Sequence, residues 1–217
     1  MGIDAPSVSV EVHITNGMPS LSIVGLPETA VKESKDRVRS AIINSGFEFP
    51  VRRITINLAP ADLPKKNGGR YDLPIALGIL LASKQLIATD INTYEFAGEL
   101  ALDGSLRSFS GVLPLALATK MSRRALVVPR GSAFEAGLVR DMTIFVPTHL
   151  LEIVAHLAGA KKLAPLIGET TVQRRSYLEL SDIHGQNHAK RALEIVAAGG
   201  HSLFMIGLAW SWENHDC

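Results

Sequence analysis

The chain has 217 residues, which is enough for one large domain or for one domain and part of a second. Hydrophobic residues make up 47% and charged residues 20% of it, as in soluble globular proteins with a sizeable core. The formal net charge of +1 excludes a nucleic-acid-binding charge spread over the whole surface but leaves local patches open.

Compartment signals are few. The only cysteine, Cys217, is the last residue, so no disulfide forms within the chain and a reducing compartment is expected. The first residues lack the basic-then-apolar layout of a signal peptide. No apolar run approaches the roughly 20 residues of a membrane span. We therefore expect a cytoplasmic protein.

The first elements in chain order are a predicted hairpin, a helix and a third strand. Alternation over residues 8–14 and the strand at 21–24 flank a turn at 16–19, which indicates a β-hairpin. A helix with an apolar face starts after Gly25, and Gly46 is well suited to end it. Residues 53–58 predict a third strand.

A loop and a buried helix follow. The loop at residues 59–70 is rich in proline, glycine and lysine and is too long for a simple turn. Asp72 is expected to cap the next helix, and Pro74 is tolerated in its first turn. Residues 75–82 are apolar on nearly every side, which predicts a helix buried against a sheet.

Short strands and helices then alternate. We predict strands at residues 94–100, 105–109, 125–128 and 143–146, and helices at 112–121, 133–138 and 150–158. This pattern favours an α/β (α+β) domain over residues 1–160, with helices on one mixed sheet.

A second pattern begins after a charged, aperiodic linker at residues 161–181. A helix at residues 187–198 ends at Gly199-Gly200, and an apolar strand at 202–206 leads to Gly207. This order is typical of the approach to the phosphate-binding loop of a nucleoside triphosphatase. We assign residues 182–217 to the start of such a domain.

The sequence resembles a known family over residues 3–207. The segment DIHGQNHAKRALEIVAAGGHSLFMIG is similar to the start of the AAA+ module of bacterial magnesium-chelatase-like ATPases. The blocks GLPETAVKESKDRVRSAIINSGFEFP, RRITINLAPADLPKKNGGRYDLPIALGIL and GELALDGSLR resemble the N-terminal domain of its ComM (YifB) branch. The resemblance implies a Lon-protease-like domain, related to ribosomal protein S5 domain 2, followed by an incomplete AAA+ P-loop domain.

The same resemblance implies a function for the full-length family. Its members use ATP and Mg²⁺, assemble into homo-oligomeric rings and drive branch migration of DNA during natural transformation, a recombination process. It also places Gly185 and Gln186 where AAA+ proteins wrap the adenine, with Gly207 opening the phosphate loop. We expect these three to be remnant nucleotide-site positions, with no cofactor bound by this chain.

The Lon catalytic dyad is missing on an ungapped alignment anchored on Gly98-Glu99 and Gly104. Lon proteases use a serine whose proton is accepted by a lysine. Here Asp72 falls at the serine position and Leu115 at the lysine position. Neither can perform its counterpart's role, so we expect no Lon-type protease and no catalytic residue.

The Walker A pattern is also missing. It requires Gly-x-x-x-x-Gly-Lys-Ser/Thr, whose amides and lysine hold the phosphates. The residues after Gly207 read LAWSWENHDC, and Walker B would lie further on. Reading the implied gene one base later turns Trp210 and Trp212 into glycine codons and permits Lys-Thr directly after the second glycine. We therefore expect a frameshifted product that does not hydrolyse ATP, with an arbitrary natural tail as the alternative.

Two further groups have ordinary interpretations. His184 and His188 lie four residues apart but lack a third ligand, which favours a surface pair over a metal site. A basic group could face DNA, but interleaved carboxylates favour a solvated mixed-charge surface. Its members are Lys32, Lys35, Arg37, Arg39, Arg52, Arg53, Lys65, Lys66 and Arg70. A non-catalytic DNA- or protein-binding or assembly module therefore remains the alternative function.

Overall fold

A computed structural model describes residues 5–25, 29–63, 68–166, 180 and 183–206. The chain divides into two compact units, Met1–Thr170 and Thr171–Cys217. The first unit contains all the strands and five of the six helices of the described residues. Within the described ranges, no helix has the length and apolar content that crossing a membrane would require.

The first sheet contains β1 (Ser9–Thr15), β2 (Ser20–Val24) and β3 (Arg53–Ala59) in the order β1-β3-β2. β3 pairs antiparallel with β1 and parallel with β2. The predicted hairpin is therefore wrong, because β3 lies between the two strands. Alternate residues of β3, Ile54, Ile56 and Leu58, are fully buried, which explains why this strand takes the centre.

Two helices contribute to the core around this sheet. α1 (Thr29–Asn44) buries Val38, Ala41 and Ile42, and the left-handed Gly46 ends it as predicted, with φ of +81°. α2 (Asp72–Ala82) has apolar residues buried around most of its circumference, which confirms the predicted buried helix. A Cβ at Gly78 would lie 2.6 Å from Val12 Cγ2, so glycine lets α2 approach β1 closely.

The rest of the first unit forms two further sheets. The elements are β4 (Tyr94–Phe96), β5 (Glu99–Leu100), β6 (Leu106–Arg107), α3 (Val112–Met121), β7 (Ala125–Val127), α4 (Ala133–Gly137), β8 (Ile144–Phe145) and α5 (Leu150–Leu157). β4, β7 and β8 form a parallel sheet in the order β4-β7-β8, and β5 pairs with β6 alone. The α/β class is confirmed, but the single mixed sheet is wrong, since the described strands form three sheets.

One hydrogen-bonding detail explains why the predicted strand at residues 94–100 is divided. The Ala97 amide still bonds to the Val127 carbonyl of the parallel sheet at 3.1 Å. The next residue, Gly98, instead donates to the Arg70 carbonyl at 3.0 Å and accepts from the Leu73 amide at 3.1 Å. The backbone therefore leaves the parallel sheet in order to hold the start of α2.

The second unit contains α6 (Asn187–Gly199), which ends at the left-handed Gly200 as predicted. The predicted strand at residues 202–206 is wrong for this structure, in which the segment forms no ladder and exposes Phe204 and Ile206 by 87% and 88%. A strand is stabilised by hydrogen bonds to a neighbouring strand, and the described part of this unit supplies none.

Candidate functional site

The start of α2 holds a buried ion pair. Asp72 is fully buried, and its Oδ2 accepts from Arg37 Nε at 2.7 Å while its Oδ1 accepts from Arg37 Nη2 at 3.2 Å. The Leu100 amide donates to the same Oδ2 at 3.3 Å. The predicted helix cap is therefore wrong: Tyr71 precedes the helix, and no side chain caps it. The carboxylate instead joins α1, α2 and β5.

The electrostatics of this pair are those of a structural contact. Burial raises the pKa of Asp72, although hydrogen bonds from Arg37, Ser34 and the Leu100 amide oppose that rise. The hydrogen bond to Asp72 raises the pKa of Arg37. Because the carboxylate is enclosed and fully engaged, it is not available to a substrate.

The other position matched to the Lon dyad is also structural. Leu115 is a half-buried residue of α3 that packs against a second core cluster, which includes Leu126 and Val128. Its backbone carbonyl accepts from the Thr119 hydroxyl at 2.9 Å. An aliphatic side chain in this setting has no group that could exchange a proton.

The predicted basic group is partly used for packing. Arg37 forms the ion pair, Arg39 lies 5.1 Å from the centre of the Phe49 ring, and Arg70 lies 5.6 Å from that of Phe109. Lys65 and Lys66 lie outside the described residues, as does the side chain of Lys32. Three of the nine cations thus have partners within the fold, whereas Arg52 and Arg53 are exposed.

The structure reveals a basic cleft that sequence reasoning missed. It lies where the amino ends of the parallel strands β4, β7 and β8 meet, and its volume is about 530 Å³. Its lining residues are Thr93, Tyr94, Lys120, Arg123, Arg124, Ala125, Asp141, Met142, Thr143 and Phe145. The lining carries three cations and one carboxylate, an excess of positive charge that the near-neutral composition conceals.

Neighbouring groups hold two of these cations in place. Lys120 Nζ donates to the Arg140 carbonyl at 2.8 Å and lies 3.8 Å from the exposed Asp141 carboxylate. Arg124 Nη1 donates to Glu95 Oε1 at 2.7 Å. Arg123 is exposed and forms no salt bridge with a residue that the structure describes.

Tyr94 and Phe145 lie at the floor of the cleft, and the buried His156 contacts both rings. His156 accepts the Leu163 amide on Nδ1 at 2.9 Å, so in the neutral ring Nε2 carries the hydrogen and donates to the Tyr94 hydroxyl at 3.1 Å. The imidazole also lies 4.7 Å from the Phe145 ring. Burial, with a smaller effect of Lys162, lowers the pKa of His156, which favours the neutral form.

The predicted nucleotide-site positions lie in the second unit. Gly185 and Gln186 are exposed and left-handed, with φ of +72° and +53°, and directly precede α6. Gly207 lies outside the described residues. His184 and His188 are both exposed, and no group of three or more potential metal ligands is present in the parts of the chain that the structure describes.

Family models match both units. The model described as subunit ChlI of Mg-chelatase matches residues 10–132, which is more than half of the chain. A second model, described as magnesium chelatase, subunit ChlI, matches residues 179–211. The chain belongs to the magnesium chelatase ChlI family. It is a magnesium-chelatase-like AAA+ protein of the ComM/YifB type, as its similarity to curated proteins also indicates.

Three relatives illustrate this similarity. The competence protein ComM of Haemophilus influenzae is 50% identical over 212 residues, covering 95% of this chain and 42% of that protein. The YifB protein of Salmonella typhimurium is 50% identical over 207 residues, covering 95% of this chain and 41% of that protein. A Mycobacterium bovis protein is 38% identical, with the same coverage of 95% and 41%. The chain thus spans about two fifths of the length of these relatives.

Proposed function

We propose that this chain is the N-terminal part of a ComM/YifB-type AAA+ motor and acts, by itself, as a non-catalytic binding or assembly module. The 50% identity to a competence protein supports a family role in natural transformation. By resemblance, that role is ATP-driven DNA branch migration by a homo-oligomeric ring with Mg²⁺, in the cytoplasm. The corresponding division is a Lon-like, S5-domain-2-like domain at 1–160, a linker at 161–181 and an incomplete AAA+ domain at 182–217.

The observation that carries the non-catalytic assignment is the buried pair of Asp72 and Arg37. The position matched to a protease nucleophile is fully enclosed and holds three elements of the fold together. The ATPase part is assigned from sequence, because the residues after Gly207 contain neither the lysine nor the glycines of a Walker A loop. Gly185, Gln186 and Gly207 are then remnants without a phosphate site.

Nucleotide binding tests this assignment. Titration of the 217-residue chain with a fluorescent ATP analogue and Mg²⁺ should give no micromolar affinity, because no lysine is available to hold the phosphates. The matched variant W210G/W212G/E213K/N214T rebuilds the spacing Gly-x-x-x-x-Gly-Lys-Thr from Gly207 onward. Micromolar affinity in the unaltered chain, equal to that of this variant, would contradict the proposal.

The origin of the altered tail is a separate proposal. One inserted base between the codons of Gly207 and Ala209 accounts for both tryptophans, since the single tryptophan codon supplies two guanines to a glycine codon in the next frame. Sequencing the gene decides this: the shifted frame should encode Gly-x-Gly-Lys-Thr. A frame that cannot encode lysine and threonine there would rule it out.

The binding role itself is favoured by the basic cleft. A local excess of cations on a nearly neutral chain supports an anionic partner, of which DNA is the one that the family role suggests. An electrophoretic shift assay over a salt series should show DNA binding that weakens steeply as salt rises. Undetectable binding at low salt would leave protein assembly as the role of the module.

A further inference from the structure

We propose that the cleft at the amino edge of β4, β7 and β8 binds single-stranded nucleic acid, with its cations on phosphates. This inference rests on the proposed DNA-binding role and assigns that role to a particular surface. The sequence offered a different DNA-facing surface, the basic group that includes Arg52 and Arg53, although its interleaved carboxylates favoured a solvated mixed-charge surface. Substitutions on the two surfaces therefore distinguish which of them binds DNA.

Three cations lie close together at the cleft. Lys120, Arg123 and Arg124 lie on a short stretch that runs from the last turn of α3 into β7, and all three line the cleft. Asp141 is the only carboxylate in that lining. Asp141 and Glu95 balance Lys120 and Arg124, and the helix end adds a partial negative charge of about half a unit, so the net positive charge of the rim comes from Arg123.

The side chain of Arg123 is available to a ligand. Its backbone is left-handed, with φ of +55°, and its amide closes the helix end on the Lys120 carbonyl at 3.1 Å. A residue other than glycine is unusual in this conformation and gives up some backbone stability. Its side chain, in contrast, is exposed and forms no salt bridge with the described residues, so it can meet a phosphate without breaking another contact.

Size and shape select a single strand. A cleft of about 530 Å³ falls within the roughly 300–1,000 Å³ of small-ligand sites and can admit one nucleotide unit, but not a duplex. The ring available at its floor is that of the half-buried Tyr94, which packs on the buried Phe145 ring with 6.0 Å between the ring centres. Aromatic rings beside a positively charged rim are the usual elements of single-strand binding.

The floor is preorganised for this role. The hydrogen bond from His156 fixes the Tyr94 hydroxyl, so this ring does not have to be ordered when a base enters. The neutral histidine adds no charge beneath the cleft, and the positive field therefore comes from the rim.

The test is fluorescence anisotropy of a labelled 15-nucleotide thymidine strand with the full 217-residue chain. Arg123→Glu should weaken binding by about fivefold to tenfold at low salt and lower the slope of log affinity against log salt by about 0.7. Arg52→Glu is the matched control, with the same charge change at an exposed site. It should bind like the unaltered chain, and circular dichroism should show both variants folded.

Three other outcomes would contradict the proposal, each at a different point. If Arg52→Glu weakens binding and Arg123→Glu does not, the cleft is not the site, whereas the DNA-binding role stands. If a duplex binds as tightly as the single strand, or if thymidine monophosphate displaces the strand at equal phosphate concentration, the single-strand assignment is wrong. If the unaltered chain binds no DNA, both this inference and the DNA-binding role fail.

Discussion

Substituting Asp72 with alanine should destabilise the first unit more than any exposed charge change. The substitution removes the acceptor of two hydrogen bonds from Arg37 and one from the Leu100 amide. Breaking a buried ion pair by removing one partner costs about 3–5 kcal/mol. Because the Arg37 side chain keeps 24% of its exposure, water can solvate part of it, and we expect the lower end, about 3 kcal/mol.

The measurement is urea unfolding followed by circular dichroism at 25 °C, with Asp141→Asn as control, since asparagine tolerates the left-handed backbone of this residue. Asp141 is 89% exposed and lies 3.8 Å from Lys120, so its loss should cost less than about 1 kcal/mol. The double variant Arg37→Met/Asp72→Leu should be more stable than Asp72→Ala, because it leaves no unpaired buried charge. If the free energy of unfolding of Asp72→Ala lies within about 1 kcal/mol of the control's, the pair contributes no more than an exposed one, and the structural role given to it is wrong.

Three further results are expected. Gly25→Ala should destabilise the chain more than Gly46→Ala in the same unfolding assay. Both glycines are left-handed, but only at Gly25 would a Cβ collide with the Leu58 carbonyl oxygen, so equal costs would contradict this close approach. Because the pKa of His156 is lowered in the folded chain, the unfolded chain binds the proton more readily. The free energy of unfolding should therefore fall as pH drops below 6.5, by at most about 1.4 kcal/mol per pH unit. His156→Gln should show a smaller dependence of stability on pH than the unaltered chain. Phe204→Asp should reduce self-association in light scattering because this side chain is 87% exposed, and an unchanged signal would exclude this segment as its cause.

Local patterns predicted most of the elements. The strand predicted at residues 53–58 and the buried helix predicted from the apolar run at 75–82 correspond to β3 and α2 with nearly correct bounds. Gly46 and Gly200 marked helix ends because the left-handed backbone there favours glycine. These features depend on residues within a few positions of each other, and the sequence contains all of them.

The pairing of the strands could not be predicted from such local patterns. β1 and β2 look like a hairpin, yet β3 enters between them, and the predicted strand at 94–100 divides because Gly98 bonds to the start of α2. The partner of each strand is decided by which apolar faces bury one another across the fold. A local pattern cannot contain that information.

The candidate sites show the same contrast between local sequence information and contacts that form only on folding. Residue identity is local, so the long matching blocks were enough to identify the family, and the residues directly after Gly207 were enough to show that they do not follow the Walker A pattern. The pairing of Asp72 with Arg37, 35 residues earlier, depends on how the chain folds, and the local pattern had predicted a helix cap instead. The tertiary structure also assembled a basic cleft from three separate segments. Burial and charge density arise from folding the chain onto itself, so composition and spacing alone do not reveal them.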